Sequence, residues 1–252
     1  MIFFKGQPLN SIDEIYFKFG RKEFKSPFRS TIPLIVLYKN NQIPDFKYLN
    51  ETPSIISRKT FEYQTNVRKG RGLPSCTDLM IENQDFCIAI ESKRSEPPYQ
   101  KVESWLKINL NRELVLEGWL EIINSHLRLN ISLKEIGGLP YQLIHRVASA
   151  CSIGKKDTIV LYAGFDLDEV KTNYYLNCLT KFSTILEDKV DLYLYCYTIE
   201  KTQKQIDLEN LWNQKVRDLS EKIIDGLQKN DLMTLRPTLQ KKISPMEVHM
   251  LT

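Results

Sequence analysis

The stretch from Asp78 to Glu91-Ser92-Lys93 carries two carboxylates and an amine at a spacing that can do chemistry. Side chains alternate along a strand, so Glu91 and Lys93 share one face of strand 86–93 while Ile88 and Ile90 point the other way. An acid and a base at the end of an apolar strand are costly unless they have partners or a task. Asp78 lies on the preceding strand. A hairpin loop of two residues sets Asp78 diagonal to Glu91, and a loop of four sets the two opposite one another. Either register brings the carboxylates to one face, about 5–8 Å apart at Cβ. Two convergent carboxylates beside a lysine can hold a hard divalent cation such as Mg²⁺ through oxygen. The competing reading is a surface hairpin in which Glu91 and Lys93 merely pair.

The elements that must position these groups are legible around them. Residues 61–67 alternate and are rich in strand formers, and 68–74 (RKGRGLP) form a basic loop broken by Gly and Pro. Strands follow at 76–81 and 86–93. Helical stretches at 99–108 and 110–128 have apolar positions, among them Trp105, Leu106, Trp119 and Ile123, near helical spacing. Gly137-Gly138-Leu139-Pro140 is a break, and 141–152 is a buried helix. A strand at 158–163, a helix at 169–187, a strand at 190–199 and an amphipathic helix at 207–229 complete the pattern. The last twenty residues read as loose. In the N-terminal fifty, Ser11 to Glu14 fits a capped helix start and 32–38 is a buried helix or strand.

This arrangement resembles the D-x(n)-E-x-K signature of the PD-(D/E)XK nucleases, with twelve residues between Asp78 and Glu91. The resemblance spans about 60–165. Pro74 stands four residues ahead of Asp78, a departure from the literal Pro-Asp pair. A second match is Gln142-Leu-Ile-His-Arg146, like the Q-x-x-x-Y helix of several branches, with Arg in place of Tyr. The i, i+4 spacing puts Gln142 and Arg146 on one helical face, where a cation suits a phosphate contact. The resemblance implies a restriction-endonuclease-like α/β fold, a mixed central sheet flanked by helices, here with an extra C-terminal helix. It implies that Asp78, Glu91 and the Ser92 carbonyl ligate Mg²⁺, with Mn²⁺ as substitute, and that Lys93 orients or activates the attacking water. Glu62, on the strand before Asp78, is a further metal candidate or a surface acid. Arg68, Lys69 and Arg71 are candidates for backbone phosphate contacts or a solvated loop. The implied activity is phosphodiester hydrolysis of DNA, duplex rather than single strand, with a homodimer allowed. The rivals are a non-catalytic nucleic-acid-binding module and a structural or interaction protein.

Composition sets the outer bounds. The chain has 252 residues, 42% hydrophobic and 26% charged, enough for a large core. No apolar run approaches the roughly 20 residues of a membrane span, and no secretory leader pattern opens the chain. Five cysteines without a C-x-x-C pair suggest free thiols rather than zinc or disulfides. These features point to a cytoplasmic protein. Residues 1–71 hold 13 Lys/Arg against 6 Asp/Glu, whereas the remainder is net acidic. A basic N-terminal third suits a polyanion. The chain reads as one α/β domain: N-terminal elements 1–59, the nuclease-like core 60–165, a helix–strand extension 166–202, and a C-terminal helix and tail 203–252.

Overall fold

Central strands with apolar residues on both faces must be covered on both sides, and that requirement organises this molecule. The computed structural model describes residues 1–43, 57–107 and 109–244. Its strands are β1 (Ile2–Phe4), β2 (Gln7–Leu9), β3 (Arg58–Thr65), β4 (Ser75–Glu82), β5 (Phe86–Lys93), β6 (Asp157–Phe165), β7 (Asp191–Lys201) and β8 (Met233–Lys242). They form one mixed sheet in the order β2-β1-β3-β4-β5-β6-β7-β8. Every residue of β5 is buried. β3, β4 and β5 run antiparallel, and β5, β6 and β7 are parallel.

Helices cover both faces. α1 (Glu14–Phe19), α2 (Thr31–Lys39), α7 (Gln203–Asn213) and α8 (Ser220–Lys229) close one core with Leu79, Ile88 and Ile90. α3 (Val102–Leu106), α4 (Leu110–Leu127), α5 (Tyr141–Ser152) and α6 (Glu169–Ile185) close the other with Met80, Cys87 and Ala89. No helix among the described residues is long and apolar enough to cross a membrane. The mixed α/β sheet flanked by helices is as expected, and strands 3 to 7 lie close to their expected bounds.

Several expectations are corrected. The amphipathic stretch at 207–229 is two helices: Lys215 takes a left-handed φ of +69°, and Asp218 accepts from the Ser220 backbone and hydroxyl to start α8. No Gly or Pro marks that break, so the periodicity ran through it. The tail is not loose up to residue 242, because Met233 and Leu235 are buried and β8 pairs antiparallel with β7. Pro237 is tolerated there because β8 is an edge strand with a register shift beside it. The N-terminus forms a hairpin that was not anticipated: Lys5 and Gly6 both take positive φ, the geometry of a two-residue primed turn between β1 and β2. Asp13, not Ser11, occupies the N-cap of α1. The stretch 32–38 lies within helix α2.

Candidate functional site

The register of the β4–β5 hairpin is the first determinant of the site. Asn83 Oδ1 accepts from the N–H groups of Asp85 and Phe86, which fixes the four-residue turn of the two loop lengths considered above. Pairing then runs from Glu82 opposite Cys87 to Leu79 opposite Ile90 and stops, although both strands continue. β4 stays with β3, and β5 stays with β6 as far as Lys93 opposite Gly164. The sheet therefore forks just where Asp78 and Glu91 stand.

A second irregularity faces the fork. Phe61 pairs with Leu79 and Tyr63 with Thr77, which sets Glu62 opposite Asp78 at the one interruption of that ladder. Glu62 has φ +52°, a left-handed conformation that costs a bulky residue about 1–2 kcal/mol. Strand alternation reverses here. Phe61 and Leu79 lie in one core, whereas Tyr63 packs on the other and Thr77 Oγ1 meets Ser149 of α5 at 2.9 Å. Alternation holds from Glu82 to Asp78, so Asp78 and Glu91 both lie on the α5 face, and it fails only beyond that point, at Thr77 and Tyr63.

Glu91 is 2% exposed, so its charge must be met by protein. Its Oε1 accepts from Lys93 Nζ at 2.7 Å and Gln142 Nε2 at 2.5 Å. Arg146 Nη2 lies 2.5 Å from Oε2 as an ionic contact without hydrogen-bond alignment, since Oε2 and Arg146 Nε both lack an aligned partner. Arg146 Nη1 donates to the Cys76 carbonyl at 2.6 Å and Thr77 Oγ1 at 2.8 Å, filling the fork. The i, i+4 spacing of Gln142 and Arg146 does what the sequence suggested, but Arg146 is buried and serves Glu91.

Asp78 Oδ2 accepts from the Ser92 backbone N–H at 2.7 Å and from its hydroxyl at 2.6 Å. That bond bridges the two parted strands and gives Ser92 a structural part beyond its carbonyl. Burial, then the nearby Glu91 charge, pushes the Asp78 carboxyl up to about 7, against the partial relief of Arg146 and Lys93. Burial also raises the Glu62 carboxyl. His145, 9% exposed, is held well below the usual imidazole range by burial and then by the Arg146 and Lys93 charges. The neutral ring places Nδ1 2.7 Å from Ser75 Oγ.

A cleft of about 510 Å³ opens above these groups. Glu62, Asp78, Gln142, His145 and Arg146 line its floor, while Glu91 and Lys93 are buried residues outside its lining. Arg71 reaches the cleft; Arg68 and Lys69 instead pair with Glu121 of α4 at 3.6 and 3.2 Å. The wall was missed by sequence reasoning. Trp105, one of the apolar positions at helical spacing, is half-buried and stacks on Tyr141 at 3.8 Å and 11°, with the Arg112 guanidinium 4.8 Å from the indole. Tyr99 is half exposed there. The only advance signal was that Tyr141 directly precedes Gln142. Trp119 is buried as expected, and Trp212 is half-buried. His126 is half-buried with Nε2 3.1 Å from Thr158 Oγ1. His249 lies outside the described residues.

Among the described residues, no three His, Cys, Asp or Glu side chains stand together as a ready metal cage. The donor chemistry still fits a hard cation. Asp78 uses only one oxygen for Ser92 and Glu62 stands opposite it, while Glu91, whose Oε2 meets the Arg146 guanidinium, would have to share its carboxylate with that cation. Residues 8–215 match the family model of a domain of unknown function, DUF6946. No curated protein and no solved structure matches the chain.

Proposed function

We propose that this chain, which belongs to the DUF6946 family, is a divalent-metal-dependent nuclease that hydrolyses phosphodiester bonds of DNA through the PD-(D/E)XK-like constellation at the fork. The observation that carries this reading is that Lys93 and Gln142 both donate to the carboxylate of Glu91 while Asp78 faces it across the split. Three of these are the residues of the D-x(n)-E-x-K signature, and Gln142 is the glutamine of the second match. The order helix, three antiparallel strands, three helices, parallel strand (α2, β3, β4, β5, α3 to α5, β6), with α5 as the helix that carries Gln142, supports the finer fold assignment.

Asp78 and Glu91, with Glu62 and the Ser92 carbonyl as further oxygen donors, would hold Mg²⁺ or Mn²⁺. When bound, such an ion polarises the scissile phosphate and lowers the pKa of water. The chain's own groups do the rest. Gln142 and Lys93 fix the orientation of Glu91. Lys93 adds a cation to offset charge developing on the phosphoryl group. Ser92 holds Asp78 by two donors, so its second oxygen keeps a defined direction. Arg71 at the cleft edge supplies a positioning contact to a backbone phosphate.

One observation favours a second reading, a nucleic-acid-binding module without turnover. Glu91 is already neutralised by Lys93 and Arg146, and neither it nor Lys93 opens to the cleft. Incubation of supercoiled plasmid with the full chain in Mg²⁺, Mn²⁺ or EDTA separates the two. Nicking or linearisation that depends on the metal supports the nuclease. Retarded but intact DNA in every buffer supports the binding module.

A further inference from the structure

Leu73 is 93% exposed and stands on the lip of the cleft. A lone exposed leucine is ordinary; the way this one is mounted is not. The loop 66–74 is clamped to α4. Asn111 donates to the Arg71 carbonyl and accepts from the Arg71 N–H, both at 2.8 Å. Gly70, at φ +76°, leaves no room for a Cβ against Val115, and a Cβ at Gly118 would lie 2.6 Å from Lys69 N. Leu73 projects two residues beyond the anchored Arg71, on the loop that also carries Arg68 and Lys69, which are half-exposed and pair with Glu121.

Behind the lip, Tyr99 and the Trp105–Tyr141 stack wall the cleft, and the amides of Asn109 and Gln142 also reach it. Its volume falls within the roughly 300–1,000 Å³ of small-ligand pockets. Cations that hold phosphates around a projecting apolar side chain are the means by which proteins part a base step. An aromatic-walled recess with a few amides suits an unstacked base, which it can hold by its face and its edge.

We propose that the cleft receives one base unstacked from a DNA duplex, with Leu73 filling the gap left in the stack. This rests on the reading of the cleft floor as a phosphodiesterase site. Unpairing costs least at a mismatch, so the preference for mismatched DNA reads out the device without knowledge of a target sequence.

The test is fluorescence anisotropy of the full chain in EDTA with two duplexes of equal length, one fully paired and one with a single central mismatch. The expected result is about tenfold tighter binding of the mismatched duplex. Leu73→Ala, a change at an exposed position, should bring the two affinities together, and Tyr99→Ala should weaken chiefly the mismatched complex. Arg71→Ala should weaken both alike. Equal affinities in the wild type, or a preference that survives Leu73→Ala, overturn the inference while leaving the nuclease reading intact. No binding to either duplex also overturns the inference, and the plasmid assay in Mg²⁺ or Mn²⁺ then decides the nuclease reading separately.

Discussion

At the residue scale, the site is a balance of charges in a place with little water. Asp78 is held up to about 7 in the folded chain, whereas an ordinary carboxyl titrates near 4. The folded chain therefore binds more protons than the unfolded chain between about 4 and 7, so this group's contribution to stability declines as pH rises through that window. His145 acts in the opposite sense. Its depressed folded pKa means that the unfolded chain binds more protons below the usual imidazole range, so that contribution is lost as pH falls. Comparison of wild type with Asp78→Asn isolates the first effect. The variant should melt higher at pH 8, on the order of 2 kcal/mol more stable, and nearly alike at pH 4. Equal melting shifts at both pH values would contradict the cause assigned here. The Glu91–Arg146 pair offers a second test. Either Glu91→Gln or Arg146→Met should cost about 3–5 kcal/mol by denaturant unfolding, because each unbalances the buried Lys93–Glu91–Arg146 cluster, and the double variant should cost well under the sum. Strict additivity would show that the two do not act as a unit. The four residues of the two matches were legible because each type is rare in an apolar setting. The partners Arg146 and Ser92 finally serve were not, because both contacts join residues of different elements, α5 to β5 and β5 to β4, whose approach only the folded chain defines.

At the element scale, what the sequence left open was mostly decided by turn chemistry and edges. The Asn83 turn chose between the two hairpin registers. The central strands were legible because a strand buried on both faces reads as an apolar run, as in 158–163. The split of α7 from α8 and the edge strand β8 were not, because a local Asp218–Ser220 turn and a polar edge strand leave little hydrophobic period. The reversal of alternation at Glu62 has no sequence signature, since a left-handed glutamate looks like any other. The seat of the 66–74 loop on α4 is equally hidden, because it needs two glycines 48 positions apart. It yields a test: Gly118→Ala sets a Cβ 2.6 Å from Lys69 N and 2.7 Å from a Val67 methyl. The variant should lose about 1–3 kcal/mol and become sensitive to protease within 66–74. Unchanged stability with an intact loop would show that the clamp is not tight.

At the scale of the whole molecule, one continuous sheet runs through all four segments into which the sequence divides, with a helical layer on each face. The pairing break between β4 and β5 places Asp78 and Glu91 between two halves that are each still hydrogen-bonded. The cleft opens on the face where the basic 68–74 loop meets α4, so DNA affinity should fall with salt. Arg71→Ala should reduce the slope of log affinity against log salt by about 1, as loss of one phosphate contact requires. A wild-type slope near zero would remove nucleic acid as the partner. The central claim is that the fork hydrolyses phosphodiesters, and cleavage of plasmid DNA in Mg²⁺ by wild type, Asp78→Asn and Lys93→Ala, each checked for folding, tests it most directly. The account predicts cutting by the wild type that is abolished by EDTA and lost in both variants. Cutting that persists in both folded variants, or no cutting by the wild type with either Mg²⁺ or Mn²⁺, would contradict it.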